Sequence, residues 1–129
     1  MKTPLIPISW GELFDKITIL QIKLENLQNQ NALKNVKIEY AQLSKIYNIS
    51  FMDDAIAKKL MNNLKQINNK LWDIEDKIRD KERNNAFDEE FIELARSVYI
   101  TNDERSRIKR NINETFGSQL IEEKSYSDY

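Results

Sequence analysis

The chain has 129 residues, 20 basic and 21 acidic side chains, a formal net charge of -1, and neither Cys nor His. That length fits one domain with a real core, and the balanced charge excludes a global field that would draw the protein to nucleic acid or an anionic membrane. The missing residue types exclude disulfides, thiolate and imidazole catalysis and Cys/His zinc sites, while only two Gly and two Pro favour long helices over turn-rich sheets.

The opening "MKTPLIPISW" carries a short apolar run interrupted by Pro4 and Pro7. Such a run makes neither a signal peptide nor a membrane span, so residues 1–8 read as an arm and the expected location is the cytoplasm. "SWGE" then has the spacing of a capping box, with Ser9 accepting from the Glu12 amide and the Glu12 carboxylate reaching back. The first helix is expected to run to about Gln28. Its Leu13, Ile17, Leu20, Leu24 and Leu27 recur at spacings of four and three and form a narrow seam. Ile19 and Ile22 lie off that seam, and a helix with two apolar faces is either central in its bundle or shared with another subunit.

A second helix is expected over Ala32 to Tyr47, on the rhythm Val36, Tyr40, Leu43 and Tyr47. "NISFMDD" reads as a connection with Asp53 or Asp54 as the next N-cap. The third helix, about Asp54 to Arg83, is the longest, with Ile56, Leu60, Leu64, Ile67, Leu71, Ile74 and Ile78 in register. At roughly 40 Å it exceeds what a compact domain of this size needs, so part of it is expected to face a partner chain. After "NNAFD", Asp88 opens a fourth helical region with the stripe Phe91, Leu94, Val98, Thr101, Arg105, Ile108, Ile112 and Phe116. Gly117 is its natural stop, and residues 118–129 form a C-terminal tail. The expected architecture is therefore a single all-α domain over 1–129, an antiparallel bundle of four main helices with one long helix and a tail.

"YITNDERSRIKR" interrupts the apolar stripe of the fourth helix with Thr101 and Arg105. Thr101 and Glu104 are spaced as another capping box, which allows a break; the absence of Gly and Pro there allows a continuous helix with a kink. Under either geometry Arg105 stays near the middle of the stripe, where a guanidinium requires a partner because an unpaired buried charge is costly. Glu75 and Glu82, with Arg79 between them at the edge of the third helix's seam, are the expected acidic neighbours. Two readings follow. One is a structural ion pair that fixes helix register. The other is a polar pocket for a small anion, with Arg79, Asn102 and Arg105 as donors, Glu75 as acid or base, and Lys16 flanking it from the first helix.

Carboxylate pairs Glu90/Glu93 and Asp73/Asp76 each lie on one side of a helix turn, as Mg²⁺ coordination would require. They resemble the metal-binding helices of all-α nucleoside triphosphate pyrophosphohydrolases, but in reversed order and without the following E-x-x-D. No metal and no cofactor is therefore assigned. The basic run "RSRIKR" lacks interleaved aromatics and reads as a solvated face. Trp10, Trp72, Tyr99 and Phe116 read as core or interface fillers.

The blocks "SWGELFDKITILQIK", "LWDIEDKIRD", "FIELARSVYITNDERSRIKRNIN" and "EEKSY" together resemble an uncharacterised family of small, mostly bacterial proteins, a domain of unknown function. The resemblance implies that Asp15, Lys16, Glu75, Asp76, Arg79, Arg96, Asn102, Asp103, Arg105, Lys109 and Lys124 belong to a recurrent polar pattern. Gln21, where an acidic residue is expected, and Phe14, where a smaller aliphatic is expected, depart from it. The family carries no established activity. The leading functional expectation is a non-enzymatic helical interaction module forming a homo-oligomer, a dimer first, through the first and third helices. The competing expectation is a binder of, or enzyme for, an anionic phosphate- or carboxylate-bearing metabolite, and the third is the Mg²⁺-dependent pyrophosphohydrolase. Neither a nucleic acid nor a membrane is an expected partner.

Overall fold

The structure, a computed structural model, describes residues 1–129. It has four helices: α1 (Trp10–Asn26), α2 (Gln30–Phe51), α3 (Ala55–Arg83) and α4 (Glu89–Thr115). Each begins at a residue whose side chain satisfies one of the free first-turn amides. Ser9 accepts from the Glu12 amide, Asn29 from Ala32, Asp54 from Ala57 and Asp88 from Phe91. The reciprocal arm of the first capping box is not made, because the Glu12 carboxylate accepts instead from Lys109 at 2.9 Å. Gly117 follows α4 with φ +63°, the left-handed conformation that ends a helix most easily at glycine.

The end of one helix differs from the sequence expectation by a full turn, and the open alternative at Thr101 is resolved. α2 continues four residues beyond Tyr47, through "NISF", because Phe51 is one further turn along the same face and is buried. Its ring packs on Trp10, Phe14, Tyr47 and Phe116, with centroids 4.6 to 5.5 Å apart. Helix α4 runs through Thr101 without interruption. The cap at Thr101 is not used: the residue is fully buried and its hydroxyl has no hydrogen-bond partner.

α1 is the central element and packs against α2, α3 and α4. Its seam residues Leu13, Ile17 and Leu20 are buried, and so is Ile22 on the second face. Both apolar faces of α1 are thus covered within the chain. The excess length of α3 is also taken up internally, by antiparallel pairing with α4. α2 covers only one side of α1, so its outer side stays in water. No helix is long and apolar enough to cross a membrane.

The contact between α1 and α4 is close enough to require glycine. The Gly11 amide donates to Asn113 Oδ1 at 2.7 Å, and a Cβ at Gly11 would lie 2.6 Å from the Lys109 carbonyl oxygen and 2.9 Å from Asn113 Oδ1. In an open helix Gly→Ala stabilises by about 1 kcal/mol. Here Gly11→Ala is expected to destabilise by about 1 to 3 kcal/mol, because backbone must move. A urea midpoint above wild type would contradict the close approach.

Candidate functional site

The second face of α1 carries Asp15, Thr18, Ile19 and Ile22, at i, i+3, i+4 and i+7, which places them on one side of the helix. α3 and α4 close over this face, and a polar network sits at its buried end. Asp15 is 2% exposed. Its carboxylate accepts from Arg105 Nε at 2.9 Å and from Arg105 Nη2, so the guanidinium binds it in fork geometry. Asn68 Nδ2 donates to Asp15 Oδ1 and to Thr18 Oγ1, both at 2.9 Å. Lys109 Nζ stands 3.7 Å from Asp15 and bonds Glu12 at 2.9 Å and Glu122 at 3.0 Å.

Burial pushes the Asp15 carboxyl up, but hydrogen bonds from Arg105 and Asn68 and the charges of Arg105 and Lys109 outweigh it and hold the group below its usual range. The hydrogen bond to Asp15 holds the Arg105 guanidinium above its usual value against the effect of burial. Burial pulls the Lys109 ammonium down, and its bonds to Glu12 and Glu122 carry it above normal. All three groups are charged at neutral pH. The expected neutralisation of Arg105 by Glu75 or Glu82 is corrected: the partner is Asp15, because α4 runs antiparallel to α1 and brings Arg105 level with it.

Beyond the buried network the same face opens into a cleft of about 450 Å³ between α1, α3 and α4. Its apolar floor is Ile19 and Ile22 from α1 with Leu71 and Trp72 from α3. Its polar wall is Glu75, Asp76 and Arg79 from α3, with Asn102 and Arg105 from α4. Four of the five residues expected at a site, Glu75, Arg79, Asn102 and Arg105, therefore line one open space. The fifth, Lys16, is exposed on α1 and does not line it.

The two guanidinium groups differ in freedom. Arg105 is held by Asp15 on one edge, which leaves Nη1 with a long 3.4 Å contact to Asn102 Oδ1. Arg79 is 75% exposed and meets Glu75 at 3.3 Å, a surface pair worth little and easily exchanged. One fixed donor and one mobile donor thus face the same cleft. Asn68, Ile19 and Ile22 complete it, and sequence reasoning did not place them there. The available signal was Asp15, four and seven residues before the two isoleucines.

The match to a family model covers residues 4–129, and the family is described as one of unknown function (DUF6165). The chain belongs to that family. No curated protein and no solved structure matches it. The membership agrees with the resemblance read from the four sequence blocks, and it brings no reaction with it.

The other residues singled out from sequence have structural places. Tyr99 lies on the surface against Tyr129, centroids 5.2 Å apart, whereas Trp10 and Phe116 pack on the core. Glu90 meets Lys81 at 3.1 Å, and no three carboxylates gather in one place.

Removing one partner of a buried ion pair leaves the other charge unpaired and costs about 3 to 5 kcal/mol. Arg105→Met is expected to lose that much in urea unfolding, and adding Asp15→Leu to it should recover most of the loss. If Arg105→Met alone is as stable as wild type, the pair does not hold the bundle. The pH dependence has a defined sign. A depressed carboxyl stabilises fully above its unfolded value of about 4, and the contribution disappears as pH falls through the lower folded value. The stability gap between wild type and Asp15→Asn is expected to narrow only below about pH 4.

Proposed function

We propose that the cleft binds a small molecule in which a carboxylate or phosphate is joined to an apolar or aromatic portion. The observation that carries this reading is the division of Arg105, whose inner edge is locked by Asp15 while Nη1 remains at the cleft wall beside Asn102. Such a donor is preorganised, so little ordering cost falls on the ligand. Arg79 is the second donor, and Trp72 with Ile19 and Ile22 offers an apolar surface to the rest of the molecule. Glu75 is half in solvent and paired with Arg79, a geometry that supports binding more directly than proton transfer. The cytoplasmic location belongs to this proposal, and the balanced charge favours small molecules or protein surfaces over nucleic acid.

A second reading is supported by a different observation. Sixteen large hydrophobic residues are exposed, among them Ile38, Ile46 and Ile49 on α2 and Met52 just after it. That surface suits self-association of an interaction module, and it lies away from the cleft.

The test is a titration with phenylacetate, phenyl phosphate and inorganic phosphate, read by Trp72 fluorescence and by amide chemical shifts. The two aromatic anions are expected to quench Trp72 and to shift Ile19, Leu71 and Asn102 amides. Arg79→Met should weaken binding about tenfold, the equivalent of one charge-assisted hydrogen bond. Trp72→Phe should remove the optical signal while the shifts remain. If none of the three anions perturbs these residues at millimolar concentration, the cleft is not an anion site.

A further inference from the structure

α2 buries one apolar side against α1 and exposes three isoleucines among polar residues on the opposite side. At 100° per residue, Val36, Tyr40, Leu43, Tyr47 and Phe51 face α1, and Ile38, Ile46 and Ile49 fall on the far side in a sector of about 120° that also holds Asn35 and Gln42, with the C-cap residue Met52 just past the helix end. Ile38, Ile46, Ile49 and Met52 are 53%, 47%, 77% and 69% exposed, and Ile56 at the start of α3 is 59% exposed. Lys34 and Lys45 fall within the same sector. Neither has an acidic partner among the ion pairs of the chain.

The opposite end of the molecule has the complementary character. The turn between α3 and α4 exposes Phe87 (56%), and the first turn of α4 exposes Ile92 (55%). Around them stand Asp88, Glu89, Glu90 and Glu93. Lys81 takes Asp88 and Glu90, which leaves Glu89 and Glu93 without a cation. One end therefore offers an apolar stripe with unpaired lysines, and the other an apolar tip with unpaired glutamates.

We infer that the tip of the α3–α4 hairpin of one copy docks on the outer face of α2 of a second copy. This rests on the self-association reading and commits it to a head-to-tail contact. The fit is supported by dimension: the stripe from Ile38 to Met52 is about 20 Å long, and a pair of packed helices is about 20 Å across. It is supported by charge, since Glu89 and Glu93 would meet Lys34 and Lys45. Stacking two α2 faces on each other would instead oppose lysine to lysine. A head-to-tail contact repeats from copy to copy, so it closes into a ring or grows with concentration.

Two single variants on exposed positions separate the possibilities. Ile49→Asp damages the α2 stripe and leaves the tip intact; Ile92→Lys does the reverse. Each alone is expected to sediment as a monomer at high micromolar concentration, with wild type larger and its association weakened several-fold by high salt. Mixed together they should form a 1:1 dimer, because one intact tip meets one intact stripe. If Ile49→Asp is monomeric while Ile92→Lys remains a dimer, the α2 faces pair with each other; self-association then stands and the head-to-tail contact is overturned. A mixture without the 1:1 species also overturns it. A wild-type monomer throughout overturns both, and vesicles rich in phosphatidylglycerol that retain wild type but not Ile49→Asp would then identify the occupant of the stripe as an anionic lipid surface.

Discussion

The bundle depends on a carboxylate and a guanidinium that face each other across the buried gap between α1 and α4. Asp15 is removed from water almost completely, a placement that costs several kcal/mol unless the charge is paired and its lone pairs are satisfied. Arg105 and Asn68 satisfy them together. The consequence is geometric: a fork bound to a planar carboxylate fixes the rotation and axial position of α4 against α1, and Asn68 brings α3 into the same register through Thr18. Greasy packing alone would tolerate a slip of one turn. A slip here would strand Asp15.

A second set of charges reinforces this register one turn along. Lys109 is buried to nearly the same degree as the apolar core and is met by Glu12 from α1 and Glu122 from the tail. Glu12 and Asp15 are three residues apart on α1, and their partners Lys109 and Arg105 are four apart on α4. The two helices thus meet by a pair of matched charge steps. The close approach at Gly11 follows from this register, because the amide of Gly11 reaches Asn113 one further turn along α4. The ion pairs and the glycine are consequences of the same alignment.

Much of this was legible in the sequence. The four helices follow from heptad-like apolar spacing, and three of them also from the cap residues Ser9, Asp54 and Asp88, a local signal that survives tertiary packing. Phe51 shows where local signals stop: "NISFMDD" resembles a connection, and only the aromatic cluster contributed by Trp10, Phe14 and Phe116 explains why the helix continues. Arg105 was readable as a buried charge because it occupies a stripe position. Its partner was not, since choosing among the acidic residues requires knowing which helix lies opposite. The candidate residues Glu75, Arg79, Asn102 and Arg105 line one cleft, a placement that their helical phase allows. Lys16 does not, because one step from Asp15 on a helix is a rotation of about 100°, enough to carry it from the buried face into water.

Charge bookkeeping narrows what the cleft suits. Arg79 and Arg105 bring two positive charges, but Glu75 and Asp76 line the same space and Asp15 already answers Arg105. Among the lining residues two cations therefore stand against two anions, and the buried Asp15 behind them is also faced by Lys109. A bare dianion would meet a field that is not positive and would gain nothing from Ile19, Ile22 and Trp72. A molecule with one acidic group, an apolar body and a hydrogen-bond donor or ammonium would use every surface: the acidic group at Arg79 and Arg105 Nη1, the body on the floor, and the donor at Glu75 or Asp76. The fixed donor is the one tied to the core, so occupancy of the cleft and the alignment of α1 with α4 act on the same guanidinium, and any ligand that draws Nη1 outward does so against the buried carboxylate that holds its other edge.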